Sequence, residues 1–192
     1  MVAAKSLPDY TGIVLDERYQ LLEELGSGSY GVVYKAIDHT NDNFVAVKII
    51  RTAGRSPTEL ATIKREVALH SVVAHHEGVV GLIDAFDGDG ICYMILEYVA
   101  GGDLFEQIVD KKSYLGKDEL LRAAFVSLVD AVEACHEAKI AHRDLKPENV
   151  LTSKDGSRLY LADFGLATDK KMVSDCGRGT TLYMSPGTSP FS

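Results

Sequence analysis

The apolar positions in the first hundred residues come in short runs broken by turn formers. Residues 19–25 read Tyr-Gln-Leu-Leu-Glu-Glu-Leu and enter a glycine turn at 26–31. Residues 32–37 and 44–50 are two further β-branched runs, with turn residues between them at 39–43. Runs of this length, bounded by Gly, Asn and Asp, predict strands. Over 58–74 the period changes. Leu60, Ile63, Val67 and Leu69 or His70 recur at helical spacing, and Thr58 and Glu59 suit a helix start. Residues 79–86 and 91–98 predict two more strands, joined by the turn Asp87-Gly88-Asp89-Gly90. The expectation up to residue 99 is therefore five strands and one helix.

Past Gly101 and Gly102 the pattern turns helical. Asp103 is placed to cap a helix over 104–111. Asp118 is placed to cap a longer one over 119–138, where Leu121, Ala124, Leu128, Val132 and Cys135 follow the 3.6 period. Short strands near 150–151 and 159–161 flank a turn at 154–156. Residues 1–18 read as an N-terminal leader, 19–99 and 100–186 as two lobes, and 187–192 as a tail.

Composition narrows the function classes. With 46% apolar and 25% charged residues the chain is an ordinary globular sequence. Its formal charge of -8 argues against nucleic acid as a partner, because phosphate-backbone binding calls for a basic balance. Cys92, Cys135 and Cys176 are too widely spaced for a disulfide framework or a CxxC metal site. No apolar run is long enough to span a membrane, and residues 1–10 lack a signal-peptide pattern, so no membrane association is expected. A cytoplasmic or nuclear location fits.

The candidate chemistry lies in two strings. The first is HRDLKPEN at 142–149, and the second is DFG at 163–165. Together they place a base, a cation and two oxygen ligands in one short region. Asp144 is the candidate base, orienting an acceptor hydroxyl and taking its proton. Lys146 can neutralise a transferring phosphoryl group. Asn149 offers an amide oxygen and Asp163 a carboxylate, the oxygen-only set that suits Mg2+. His142 and Phe164 read as packed residues that hold the loop. Singly, Asp144 could be a turn former and Asn149 a cap.

Gly26, Gly28 and Gly31 match GxGxxG, a spacing shared by dinucleotide folds and plain hairpins. In a dinucleotide fold the third glycine opens a helix, whereas Gly31 here opens the extended run Val32, Val33, Tyr34. A strand–glycine loop–strand of this kind can lie over phosphates with its N–H groups exposed. Lys48, in the alternating run 45–48, can then hold phosphate oxygens. Glu66 is the best partner to fix it, ahead of Glu59; the alternative is an intrahelical pair with a neighbouring lysine.

With these motifs in order, the chain resembles a eukaryotic protein kinase of the serine/threonine class, and weakly a fungal subfamily. The resemblance runs from Tyr19 to Pro186. It implies an α+β, bilobal fold: an N-lobe of five strands and one helix over 19–99, and an incomplete, mostly helical C-lobe over 100–186. It also implies ATP and Mg2+ as cofactors, and transfer of the γ-phosphoryl group to Ser/Thr hydroxyls of protein substrates. Catalytic roles fall on Asp144, Lys146, Lys48 and Glu66, and metal binding on Asn149 and Asp163. The glycine loop, Gly26, Ser27, Gly28, Ser29, Tyr30 and Gly31, would cover the phosphates. Leu25, Val33, Ala46 and Leu151 would sandwich adenine, Leu96 would be the gatekeeper, and Glu97 and Val99 would supply hinge bonds. Asp103 matches the ribose contact. Thr180 matches the threonine that touches the catalytic aspartate and lysine.

Departures from the pattern set the rival readings. The family continues Ser185-Pro186 with Glu, and this chain has Gly187. The usual activation-loop phosphosite falls near Cys176, leaving Thr168 and Ser174 as nearby acceptors. His70 stands where an apolar residue is usual. The catalytic domain is expected to be truncated, with an exposed helical face open to a partner. The alternatives are a non-catalytic ATP-binding or interaction fragment, and a truncated gene model without independent function.

Overall fold

The computed structural model describes residues 8–28, 31–171 and 179–184. Ser29, Tyr30, Ser174, Cys176 and the tail 187–192 lie outside the described residues. The chain divides into two compact units. The first comprises residues 1–60 and 82–98, the second 61–81 and 99–192.

The first unit is an antiparallel sheet. In chain order its strands are β1 (Val14–Leu15), β2 (Tyr19–Gly28), β3 (Gly31–Asp38), β4 (Asn43–Arg51), β5 (Leu82–Gly88) and β6 (Ile91–Glu97). Their spatial order is β1-β2-β3-β4-β6-β5. The five expected strands are joined by the two-residue β1 at one edge. Register fixes which side chains share a face, because directly opposed residues point the same way. Tyr34 opposes Val47, Val32 opposes Ile49, Val47 opposes Ile95 and Ile49 opposes Tyr93. These residues, with Tyr19, Leu21, Ala36 and Val45, make the buried core of this unit. Each fully buried residue of this size contributes roughly 1.5–3 kcal/mol.

The described part of the expected leader joins this core, through Tyr10 and Leu15. Arg18 then closes the far end of the β2–β3 hairpin. Its Nε and Nη2 donate to the Asp38 carboxylate at 2.8 and 2.7 Å. Asp38 is 2% exposed, and the Arg18 guanidinium holds its carboxyl well below the usual carboxylate range. The β5–β6 turn is carried by Asp89 and Gly90, with φ of 50° and 73°. Two positive φ values suit the twist of a tight hairpin, and the Asp-Gly pair tolerates them.

The expected strand start at Val79 is corrected. β5 begins at Leu82, while Val79 makes a parallel bridge to Leu161 in the second unit. The Val80 N–H donates to the Leu161 carbonyl at 3.0 Å, and the Leu161 N–H to that of Gly78 at 2.8 Å. An apolar run looks the same in sequence whichever partner it pairs with.

Helix α1 spans Pro57–Val73. Its start lies one residue ahead of the expected one. Ser56 Oγ accepts from the Glu59 N–H at 3.3 Å, and the Glu59 carboxylate accepts from the Ser56 N–H at 2.9 Å. That is a capping box with proline in the first helical position. From Ala61 onward α1 belongs to the second unit.

The second unit adds α2 (Leu104–Val109), α3 (Asp118–Glu137), β7 (Val150–Thr152) and β8 (Leu159–Leu161). Its core gathers Leu69 and Val73 of α1 with Ala131 and Cys135 of α3, and with Val150, Leu161 and Phe164. Asp103 caps α2 as expected, accepting from the Glu106 N–H at 2.8 Å. Asp118 does not cap α3. It is the first helical residue, and Lys117 before it makes no side-chain cap. Leu121, expected on the buried stripe, is 46% exposed. Ala124 and Cys135 of that stripe are buried together with Ala131, and Leu128 and Val132 pack partly buried against the same core. No helix among the described residues is long and apolar enough to cross a membrane.

Candidate active site

The first unit turns one sheet face to its core and collects the nucleotide candidates on the other. Val33 opposes Lys48, Lys48 opposes Met94 and Ala46 opposes Leu96. Val33, Ala46, Lys48 and Leu96 therefore share the face opposite Tyr34 and Val47. Lys48 is half-buried. Leu25 sits at an irregularity of β2, between the Glu24–Tyr34 and Gly26–Val33 pairs, and is 45% exposed.

The three loop glycines differ in kind. A Cβ at Gly31 would overlap the Ile49 carbonyl, so this glycine is demanded by strand packing. Gly26 and Gly28 have nothing within 4 Å of a built Cβ among the described residues. Their backbone is open to a ligand, and Ser27 lies between them. Glu97 ends β6 opposite Val45, with its side chain exposed, and Val99, two residues on, opens the second segment of the second unit.

The second unit carries the chemistry. Between α3 and β7 the chain passes through residues 142–149 and closes in a 3-10 turn, Pro147–Asn149. Arg143 and Asp163 both have positive φ, 70° and 59°. Left-handed backbone at non-glycine residues costs on the order of 1 kcal/mol each and is held only where surrounding contacts over-determine it. Those contacts are present. His142 is 3% exposed; its Nε2 donates to the Ala162 carbonyl at 2.8 Å and its Nδ1 accepts from the Asp144 N–H at 3.3 Å. Phe164 packs edge-on against His142, with ring centroids 5.0 Å apart, and stacks on His70 at 4.7 Å. His142 and Phe164 are thus packed residues that hold the loop. Burial pushes the His142 imidazole below the ordinary histidine value.

Asp144 is the hub. Its Oδ1 accepts from the Thr180 N–H at 2.9 Å and from the Thr180 hydroxyl at 2.8 Å. Its Oδ2 accepts from Asn149 Nδ2 at 2.9 Å and faces Lys146 Nζ at 3.1 Å. Lys146 Nζ also donates to Thr180 Oγ1 at 3.0 Å. Burial pushes the Asp144 carboxyl up, but Thr180 and Lys146 outweigh it and leave it below its ordinary value. Gly179 permits this closure: its φ is 125°, and a Cβ would press on the Arg143 carbonyl.

Asn149 Nδ2 donates twice, to the Asp144 carbonyl and carboxylate, both at 2.9 Å. The amide is thereby oriented, and among the described residues its Oδ1 accepts no hydrogen bond. Asp163, exposed, accepts from the Gly165 N–H at 3.3 Å. An oriented amide oxygen and an exposed carboxylate fit a cation that takes few protein ligands and fills the rest from phosphate and water, as Mg2+ does. No group of three or more His, Cys, Asp or Glu that could hold a metal occurs among the described residues. Asp103 and Leu151 are brought together by a bridge between their backbones. Thr168, one of the two expected acceptors, is 2% exposed with its hydroxyl hydrogen-bonded to Arg65, so it is closed to modification in this conformation.

A glycine-turn sheet with a lysine on its open face, and a second unit holding an aspartate–lysine–asparagine loop beside an Asp-Phe-Gly turn, define a protein-kinase-type domain. A model of the protein kinase domain matches residues 19–188. The chain belongs to the protein kinase family, on its serine/threonine side. It is 41% identical over 175 residues to the negative regulator of sexual conjugation and meiosis of Schizosaccharomyces pombe, covering 91% of this chain and 37% of that protein. It is 38% identical over 173 residues to mouse serine/threonine-protein kinase 36, covering 88% and 13%. It is 32% identical over 185 residues to calcium-dependent protein kinase 7 of Arabidopsis thaliana, covering 94% and 34%. The chain thus spans about a third or less of each relative's length. Members of this family generally use ATP and Mg2+.

Proposed function

We propose that this chain performs ATP- and Mg2+-dependent phosphoryl transfer to Ser/Thr hydroxyls of protein substrates. The observation that carries the reading is the Asp144 network. Thr180, Lys146 and Asn149 all converge on one carboxylate, which stays ionised and fixed in direction. A carboxylate so restrained suits orienting a hydroxyl for in-line attack and receiving its proton late. Lys146 stands beside it as a fixed cation for the transferring group. Lys48 would hold phosphate oxygens, with Glu66 fixing it. Leu25, Val33, Ala46 and Leu151 would enclose the base, Glu97 and Val99 would bond its edge, and Asp103 would meet the ribose. Asn149 and Asp163 would hold Mg2+, which when bound neutralises phosphate charge. Catalysis would come from positioning and charge. Cys92 and Cys135, both buried and far apart in sequence, suit a reducing compartment, cytoplasmic or nuclear.

Titration with Mg-ATP tests the binding half. The native chain should bind, and Lys48→Met and Asp163→Asn should each weaken binding by about tenfold or more. No binding by the native chain would remove the proposal.

A second reading, ATP binding without transfer, has one observation in its favour. α3 leaves Leu121, Phe125, Val126 and Val129 between 46% and 61% exposed. Such an apolar face favours a partner. Mg-ATP binding with no detectable transfer would support this reading over the first.

A further inference from the structure

α1 meets the segment after Asp163 along one side. Residues 65, 66, 69 and 70 lie on neighbouring positions of that side. Leu69 shares the buried cluster of Phe164. His70 stacks on the Phe164 ring. Glu66 borders Gly165 so closely that a Cβ there would stand 3.4 Å from Glu66 Oε2. Ring stacking and leucine packing set a separation and are themselves non-directional.

Arg65 adds directional bonds to this contact. Its Nη2 donates to Thr168 Oγ1 and to Asp169 Oδ1, the latter at 2.9 Å. Thr168 is anchored in turn. Its hydroxyl accepts from the Lys170 N–H at 3.3 Å, and its backbone bonds Ala141 in both directions at 2.9 and 2.8 Å. Ala141 directly precedes His142. A donor on α1 is therefore tied to a residue laddered onto the chain that enters the catalytic loop. Core packing does not account for the arginine, whose side chain is 35% exposed. The Asp169 half is a surface pair and weak alone, whereas the Thr168 half is a charge-assisted bond to a buried hydroxyl.

We infer that Arg65 is a positioning residue that fixes α1, and with it Glu66, against residues 163–169. Its consequence for nucleotide binding rests on the phosphotransfer reading; the tie itself does not.

Amide hydrogen exchange on the 192-residue chain without nucleotide tests the tie directly. Arg65→Gln should raise exchange about tenfold in residues 61–73 and 163–169 together, while β7 and β8 stay unchanged. Asp169→Asn, which alters one exposed side chain and leaves the fold intact, should raise the same two segments by roughly twofold. Arg65→Lys should fall between, since one ammonium cannot reproduce the guanidinium fork. The second arm is a cycle of Arg65→Gln and Glu66→Gln read by Mg-ATP affinity. The double variant should lose less than the product of the single losses. Unchanged exchange at 163–169, in Arg65→Gln or in Asp169→Asn if the former does not fold, would overturn the inference, as would independent losses in the cycle. If the native chain binds no Mg-ATP, the phosphotransfer reading fails, and the exchange arm still decides the tie.

Discussion

Thr180→Val removes a single hydroxyl from the centre of the Asp144 network while keeping side-chain volume. That hydroxyl donates to Asp144 Oδ1 at 2.8 Å and accepts from Lys146 Nζ at 3.0 Å. Hydrogen bonds to charged groups contribute about 1.5–3 kcal/mol each. Two features reduce the loss. Asp144 Oδ1 keeps the Thr180 N–H at 2.9 Å, and Lys146 keeps its 3.1 Å contact to Oδ2 with 22% of its side chain open to water. The net cost should be about 2 kcal/mol, or roughly thirtyfold in the folded-to-unfolded ratio. Urea denaturation at pH 7 reads it, with Thr180→Ser as the control expected to stay within about 0.5 kcal/mol of the native chain. The pH dependence has a definite sign. A carboxyl held below its ordinary value of 3.8 stabilises the fold above that value and loses its contribution as the pH falls through the folded value. Loss of the Thr180 hydroxyl moves Asp144 back up, so the gap between native and valine chains should narrow as the pH is lowered past about 4. Equal stability of the valine and serine variants, or a gap indifferent to acid, would refute the network as drawn.

Burial holds the His142 imidazole below its ordinary value of 6.5, so acid should destabilise the fold below that value, where the unfolded imidazole gains its proton before the folded one. The loss assigned to this residue is bounded by about 1.4 kcal/mol at pH 5.5, and it should vanish in His142→Gln; an unchanged pH slope in that variant would contradict the assignment. Gly31→Ala should lower stability by about 2 kcal/mol, because its Cβ meets the Ile49 carbonyl, whereas Gly28→Ala should cost under about 1 kcal/mol. Thermal melting of the two variants separates them, and equal melting temperatures would show that the glycines are not different in kind.

The periodicity of the chain was sufficient for most of the elements and insufficient for their partners. β3, β4 and β6 are legible because β-branched runs end at Gly, Asn or Asp. The apolar character of Val79 does not distinguish a bridge to Leu161 from membership of β5. Ser56-Pro57-Thr58-Glu59 carried a capping box one residue before the expected start. Tyr10 and Leu15 look like a leader in sequence because the run Ile13-Val14-Leu15 is too short to show a period. Asp144, Lys146, Asn149 and Asp163 were legible as a set through their motif spacing, and the first three converge in the structure. Arg65 was not, although it adjoins Glu66, because its partners lie 103 and 104 residues away. The signal that could have found it is a cation next to a buried carboxylate on one helix, with an acidic residue just past the Asp-Phe-Gly turn.

The most direct test of phosphotransfer is labelled phosphate from Mg-ATP appearing on a basic acceptor protein, measured for the native chain and for Asp144→Asn at matched nucleotide occupancy. The native chain should transfer phosphate, and Asp144→Asn should lower the rate by about a hundredfold to ten-thousandfold while still binding nucleotide. Equal transfer by both chains, or none by the native chain with nucleotide bound, would contradict it.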